Sequence, residues 1–137
     1  MSKTHNLFIS HSWAYGDAYD RLVEMLNSRP YFFYNNYSVP KNDPIHTNGT
    51  QKQLYQAIYS KIYGCNVVII MAGVYSSHSK WIDNEIYIAK KEFTYPKPIL
   101  AIEPWGSERS SSVVKDSADM VVGWNTESIV NAIRQLN

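Results

Sequence analysis

A chain of 137 residues, 45% hydrophobic and 18% charged, is the size of one domain and carries enough apolar side chains to bury a core without staples. Its 13 basic and 12 acidic residues leave a formal net charge of +1 with no basic run or basic helix face, which excludes an electrostatic binder of nucleic-acid backbones. The single cysteine, Cys65, excludes disulfides and cysteine-ligated zinc; no stretch has the apolarity of a signal peptide or the length of a membrane span, so a cytoplasmic protein without membrane attachment is expected.

Asn6 to Ser10 reads as a short apolar strand, and its carboxyl end carries Ser10-His11-Ser12-Trp13. From Asp17, the spacing of Tyr19, Leu22, Val23 and Leu26 predicts a helix stopped by Asn27, Ser28 and Pro30. Phe32 to Val39 contains a second strand near a sheet edge. It runs into Pro40 to Gly49, where two prolines, a glycine and three Asn/Asp residues define a loop longer than a strand-to-helix connection requires. His46 in that loop has three readings: a solvated side chain, a proton carrier or a polar ligand contact.

Thr50 and Gln53 have the spacing of a capping box, opening a helix with the stripe Leu54, Ala57, Ile58 and Ile62, and Gly64 is expected to stop it. Tyr55, Tyr59 and Tyr63 recur at spacing four, either packed on the core's flank, the simpler expectation, or offered to a partner. Val67 to Ala72 has no polar alternation, as a strand buried on both faces of a parallel sheet requires. Gly73 and the serines Ser76, Ser77 and Ser79 then lead into a helix starting near Lys80, with an expected core stripe of Ile82, Ile86, Ala89 and Phe93. Trp81 and Glu85 lie one turn apart and are expected on a neighbouring face.

Ile99 to Ile102 is a fourth strand, Ser107 to Ser117 allows only a short helix, and Asp119 to Val122 is a fifth strand. Asn125 or Thr126 then caps a helix that turns Ile129, Ala132, Ile133 and Leu136 inward. Five strand-helix alternations with apolar strands predict an α/β fold: a flavodoxin-like three-layer sandwich, one domain over residues 1–137, with a five-stranded parallel sheet of order 2-1-3-4-5 and helices on both faces. That order makes the ends of the first and third strands neighbours. Ser10 to Trp13 and Ser76 to Glu85 then converge on one cleft, which the 40–49 loop can cover.

Ser76, Ser79, Trp81 and Glu85 form the pattern Ser-x-x-Ser-x-Trp-x-x-x-Glu directly after a hydrophobic strand. It resembles the catalytic-helix motif of TIR domains, and most closely the TIR-like branch of bacterial Thoeris antiviral systems. Phe8-Ile9-Ser10-His11-Ser12 resembles the opening-strand terminus of the same family. The resemblance implies cleavage of NAD at the nicotinamide glycosidic bond, with Glu85 as the catalytic glutamate and NAD as substrate, not cofactor. It implies an ADP-ribose-derived product, cyclic or conjugated, that activates a separate effector protein. It equates the 40–49 loop with the TIR BB loop, and so implies self-association through it. Substrate contacts are then expected from Ser10, His11, Ser12, Trp13, His46, Ser76 and Trp81, the tryptophans as apolar walls and the hydroxyls orienting ribose or phosphate.

No metal is expected, because His5, His11, His46 and His78 lack a ligand spacing. The 40–49 loop lacks the Arg-Asp-x-x-x-Gly character of receptor TIRs, so its contacts do not transfer. Two other readings stand beside the enzyme: a non-enzymatic TIR interaction module, and a nucleoside deoxyribosyltransferase-like enzyme with a glutamate nucleophile. No glycine-rich phosphate loop follows the first strand, which argues against Rossmann, P-loop and FMN-binding proteins.

Overall fold

Alternate residues of the buried strands face opposite ways, and each set meets its own group of helices. The computed structural model describes residues 3–10, 16–38, 50–72, 80–103 and 112–137. In chain order these form β1 (Thr4–Ile9), α1 (Gly16–Ser28), β2 (Phe33–Asn36), α2 (Gln51–Gly64), β3 (Val67–Met71), α3 (Lys80–Lys91), β4 (Ile99–Ile102), α4 (Ser112–Ser117), β5 (Met120–Val122) and α5 (Thr126–Leu136). The strands make one five-stranded sheet in the order β2-β1-β3-β4-β5, every pair parallel. This is the flavodoxin-like arrangement expected from the alternation.

Leu7, Ile9, Val67, Ile69, Leu100 and Ile102 pack with Leu22 and Leu26 of α1 and with Ile129, Val130 and Ile133 of α5. The intervening residues Phe8, Val68, Ile70, Ile99 and Ala101 pack with Leu54, Ile58 and Ile62 of α2, Ile82, Ile88 and Ala89 of α3, and Val114 of α4. Period-two side-chain alternation therefore sorts the core into two layers on a shared sheet. α1 leaves β1 on one side of the sheet and α3 leaves β3 on the other. The gap beyond the carboxyl ends of these adjacent strands is the topological switch point.

Several local expectations need correcting. β1 begins at Thr4, earlier than its apolar run, because Thr4, His5 and Asn6 pair with Phe33, Tyr34 and Asn35 of β2 through the backbone. In α3 the inward stripe is Ile82, Glu85, Ile88 and Ala89, while Ile86 is only partly buried and Phe93 lies beyond the helix end. In α5, Val130 joins the core and Leu136 is partly buried. Asn125 is its cap, accepting from the Ser128 amide at 3.0 Å. Tyr55 and Tyr59 pack against the core's flank, and Tyr63 is exposed, its ring 6.0 Å from that of Phe93.

α2 ends at Gly64 as expected, but not through the glycine cap that its position implies. The residue after it, Cys65, is extended (φ −89°, ψ 164°), so no left-handed glycine cap closes α2. A Cβ on Gly64 would instead sit 2.5 Å from Cε2 of Tyr37. Gly64→Ala is expected to destabilise the fold by about 1–3 kcal/mol in urea denaturation, and by much less when Tyr37→Leu removes part of the ring's bulk. Cys65 itself is buried, and burial pushes its thiol up to about 12, the state of an unreactive core cysteine.

Candidate active site

The carboxyl end of β1 is fixed from both sides. On one side β2 ends at Asn36, whose Oδ1 accepts from the Ser38 amide at 3.0 Å. Ser38 is thereby turned so that its Oγ accepts from the Ile9 amide at 2.9 Å, taking the place of a backbone carbonyl. On the other side the Ser10 amide donates to the Ile69 carbonyl of β3 at 3.0 Å. Ser38 was not among the sequence candidates, since a lone serine after an edge strand carries no pattern. Ser38→Ala leaves the buried Ile9 amide without its acceptor, and a loss of about 1–3 kcal/mol at unchanged m-value is expected in urea unfolding.

Strand alternation directs Ser10 to the same side as Phe8, the α2–α3–α4 layer. There α3 presents Glu85 on its buried stripe, three residues after Ile82 and three before Ile88. The Ser10 Oγ donates to Glu85 Oε1 at 2.6 Å. Ser10 is fully buried and Glu85 is 2% exposed. α3 is held in place at its far end, where the Asp119 carboxylate binds the Lys90 ammonium and accepts from the Ile99 amide at 2.8 Å. Partial burial pushes the Asp119 carboxyl up, but the bonds from Lys90 and Ile99 outweigh it and hold the group below its ordinary range.

Burial raises the Glu85 carboxyl from its ordinary 4.5 to about 8, and the Ser10 hydroxyl bond acts in the opposite direction. Among the described residues, the opposing influence is thus a hydroxyl. In the unliganded protein at neutral pH the carboxyl is therefore mostly protonated. A serine hydroxyl suits this group in both states, since it donates to a carboxylate and accepts from a carboxylic acid.

Of the other residues expected at the site, His11, Ser12, Trp13, His46 and Ser76 lie outside the described residues. Trp81 occupies the first turn of α3, one turn before Glu85, and its side chain is outside the described part. The site is therefore assembled here from Ser10 and Glu85, which the topology brings together from positions 75 residues apart. His5 is remote from it. It stacks on Phe32 at 5.4 Å, towards the amino end of β1, and burial, aided by Lys3 and Arg134, lowers its pKa. Among the described residues, no group of three His, Cys, Asp or Glu side chains is placed to hold a metal ion, and no helix is long and apolar enough to cross a membrane.

An open groove of about 460 Å³ lies on the outward side of α3, lined by Asp83, Ile86, Tyr87, Lys90, Lys91 and Ser117. It is on the opposite face of the helix from Glu85 and shares no residue with the buried pair.

Comparison with known proteins gives one family match. The family described as Thoeris protein ThsB, TIR-like domain, matches residues 8–109 of the 137, a span that includes both Ser10 and Glu85. No curated protein matches the chain.

Proposed function

The chain belongs to the family of the Thoeris protein ThsB, TIR-like domain, and on that premise we propose that it is an NAD-cleaving enzyme of bacterial antiviral defence, acting through Glu85. The observation that carries this reading is the Glu85 carboxyl, buried at the switch point and held at 2.6 Å by a strand-end serine. Burying an ionisable carboxyl costs a fold the group's desolvation, so its presence at the edge where α/β sheets bind ligands favours a chemical role.

Breaking the bond between nicotinamide and ribose requires little acid catalysis. The pyridinium ring departs as neutral nicotinamide, taking the bonding electron pair, and an oxocarbenium-like ribose remains. An ionised carboxylate near that ribose stabilises the developing positive charge, and more strongly in a dry site than in water. The cationic nicotinamide ring of a bound NAD itself favours ionisation of Glu85, so substrate entry works against the desolvation that holds the carboxyl protonated. The ribosyl cation is then captured by water, by a group of its own ADP portion, or by an external acceptor.

In this reading the product is an ADP-ribose-derived signal, cyclic or conjugated, that activates a separate effector protein in the cytoplasm. Self-association through the 40–49 loop, which lies outside the described residues, would complete or expose the site. Trp13 and Trp81 would wall the nicotinamide side, with His11, Ser12, His46 and Ser76 meeting ribose or phosphate.

The test is mass spectrometry of nucleotides extracted from phage-challenged cells that express the chain. Loss of NAD with appearance of an ADP-ribose-type species is expected, and its mass identifies the acceptor. Unchanged NAD together with base exchange on added deoxynucleosides would replace this reading with the deoxyribosyltransferase one.

A further inference from the structure

We propose that Ser10 is a positioning residue for Glu85, its hydroxyl holding the carboxyl in the orientation from which it acts, instead of meeting the substrate. The inference rests on the reading of Glu85 as the catalytic carboxylate. It differs from the ligand contact expected of Ser10 from the sequence, and the difference comes from where the hydroxyl points.

Glutamate has three side-chain torsions, and a helix alone fixes none of the outer two. A carboxyl that must face one ribose needs a partner whose own position is settled. Ser10 meets that requirement. Its amide is bound to the Ile69 carbonyl at 3.0 Å, and the preceding amide, of Ile9, is bound to Ser38 Oγ at 2.9 Å. The Ser10 backbone is thus held to β3 directly and, through Ile9, to the segment that follows β2, and its Oγ is set 2.6 Å from Glu85 Oε1. With Ser10 fully buried and Glu85 2% exposed, this bond is made away from bulk water, where a hydroxyl bond to a carboxylate is strong.

The same bond has an electrostatic effect, favouring ionisation of Glu85 against the burial that opposes it. Among the described residues of the neighbouring elements, Lys90 pairs with Asp119, Lys115 with Glu103 at 3.7 Å, and Glu92 lies beside Tyr55 where α2 meets α3, while Lys52 and Lys61 of α2 and Asp116 of α4 are exposed. Asp83 and Lys91 line the outward groove.

The experiment is a carboxyl ¹³C NMR titration of Glu85 in the unliganded native chain, Ser10→Ala and Ser10→Thr, with Glu85→Gln assigning the resonance. It is paired with the pH profile of kcat/KM for nicotinamide release. In Ser10→Ala the Glu85 titration is expected to move to higher pH by about one unit, and kcat/KM at pH 7 to fall about tenfold. Ser10→Thr, which keeps the hydroxyl, is expected to restore both; if it does not fold, the alanine variant decides alone. A native Glu85 titration in Ser10→Ala overturns the proposal, whether activity is kept or lost, and lost activity with a native titration would assign Ser10 to the substrate. If Glu85→Gln leaves NAD cleavage intact, the enzymatic reading of Glu85 fails, while the titration still shows whether Ser10 holds the carboxyl.

Discussion

Glu85→Gln is expected to lose NAD cleavage by about 100- to 1,000-fold while making the protein more stable above neutral pH. The two effects have one origin. A carboxylate placed to stabilise an oxocarbenium-like ribose supplies an electrostatic contribution that a neutral amide of the same shape does not. The same carboxylate is a burden to the fold, because burial raises its pKa from 4.5 to about 8. At pH 8 and above the native chain must either fold with a buried charge or keep a proton that water no longer readily supplies. The glutamine variant faces neither demand. Each pH unit between the two pKa values is worth about 1.4 kcal/mol, so the difference at pH 8 is on the order of a few kcal/mol, reduced in part by the second amide N–H that glutamine brings. Thermal melts of both proteins should nearly coincide at pH 4 and separate by several degrees at pH 8, with the variant higher. A buried carboxyl with no chemical part to play would show the stability gain without the loss of cleavage.

The native chain alone is expected to show opposite pH trends in stability and activity. In the unfolded chain Glu85 ionises near its ordinary 4.5, in the folded chain near 8. Between those values the unfolded state holds fewer protons. Stability from this group is therefore fully present below about 4.5, declines as pH rises, and levels off above about 8. Activity should run the other way. If the ionised carboxyl is the acting form, kcat/KM follows its fraction in the free protein and rises roughly 50-fold from pH 6 to pH 8, then flattens. Urea midpoints and nicotinamide release measured over the same buffers would test both trends. A flat rate profile would mean that Glu85 is ionised already, or that its charge plays no part.

Why some of this was visible in the sequence and some was not follows from particular residues. The parallel sheet followed from uninterrupted apolar runs such as Val67 to Met71 and Ile99 to Ile102, which tolerate only a sheet covered on both faces, and its order from right-handed crossovers around a central first strand. The start of α2 was equally plain: Thr50 Oγ1 accepts from the Gln53 amide at 3.1 Å, and the Gln53 side chain accepts from the Thr50 amide at 2.9 Å, both limbs of the expected capping box. What periodicity misjudged was the depth of Glu85. A reading that assigns apolar residues to the core passes over a glutamate and moves the stripe to Ile86, whereas the helix buries Ile82, Glu85, Ile88 and Ala89. The break in the apolar stripe is the feature from which the proposed role of Glu85 is argued.

Other features leave no trace in a pattern of side-chain types. Thr4 and His5 join β1 through backbone pairing with β2, to which hydrophobicity is blind. Ser38 works as a surrogate carbonyl for Ile9, and Gly64 makes room for the Tyr37 ring; both are consequences of packing between segments far apart in the chain. The Ser10–Glu85 bond falls between these cases. Topology placed the two segments at one edge, and only the alternation of β1 together with the true face of α3 brings the side chains into contact.

The most direct test is nicotinamide release from NAD at pH 8 in lysates of phage-challenged cells carrying either the native chain or Glu85→Gln at matched protein levels. Release by the native chain and at least a 100-fold smaller rate with the variant are expected, in line with the loss of a transition-state carboxylate. Equal release by both, or none from either while the variant still protects the cells, would contradict the assignment of Glu85 as the group that drives cleavage.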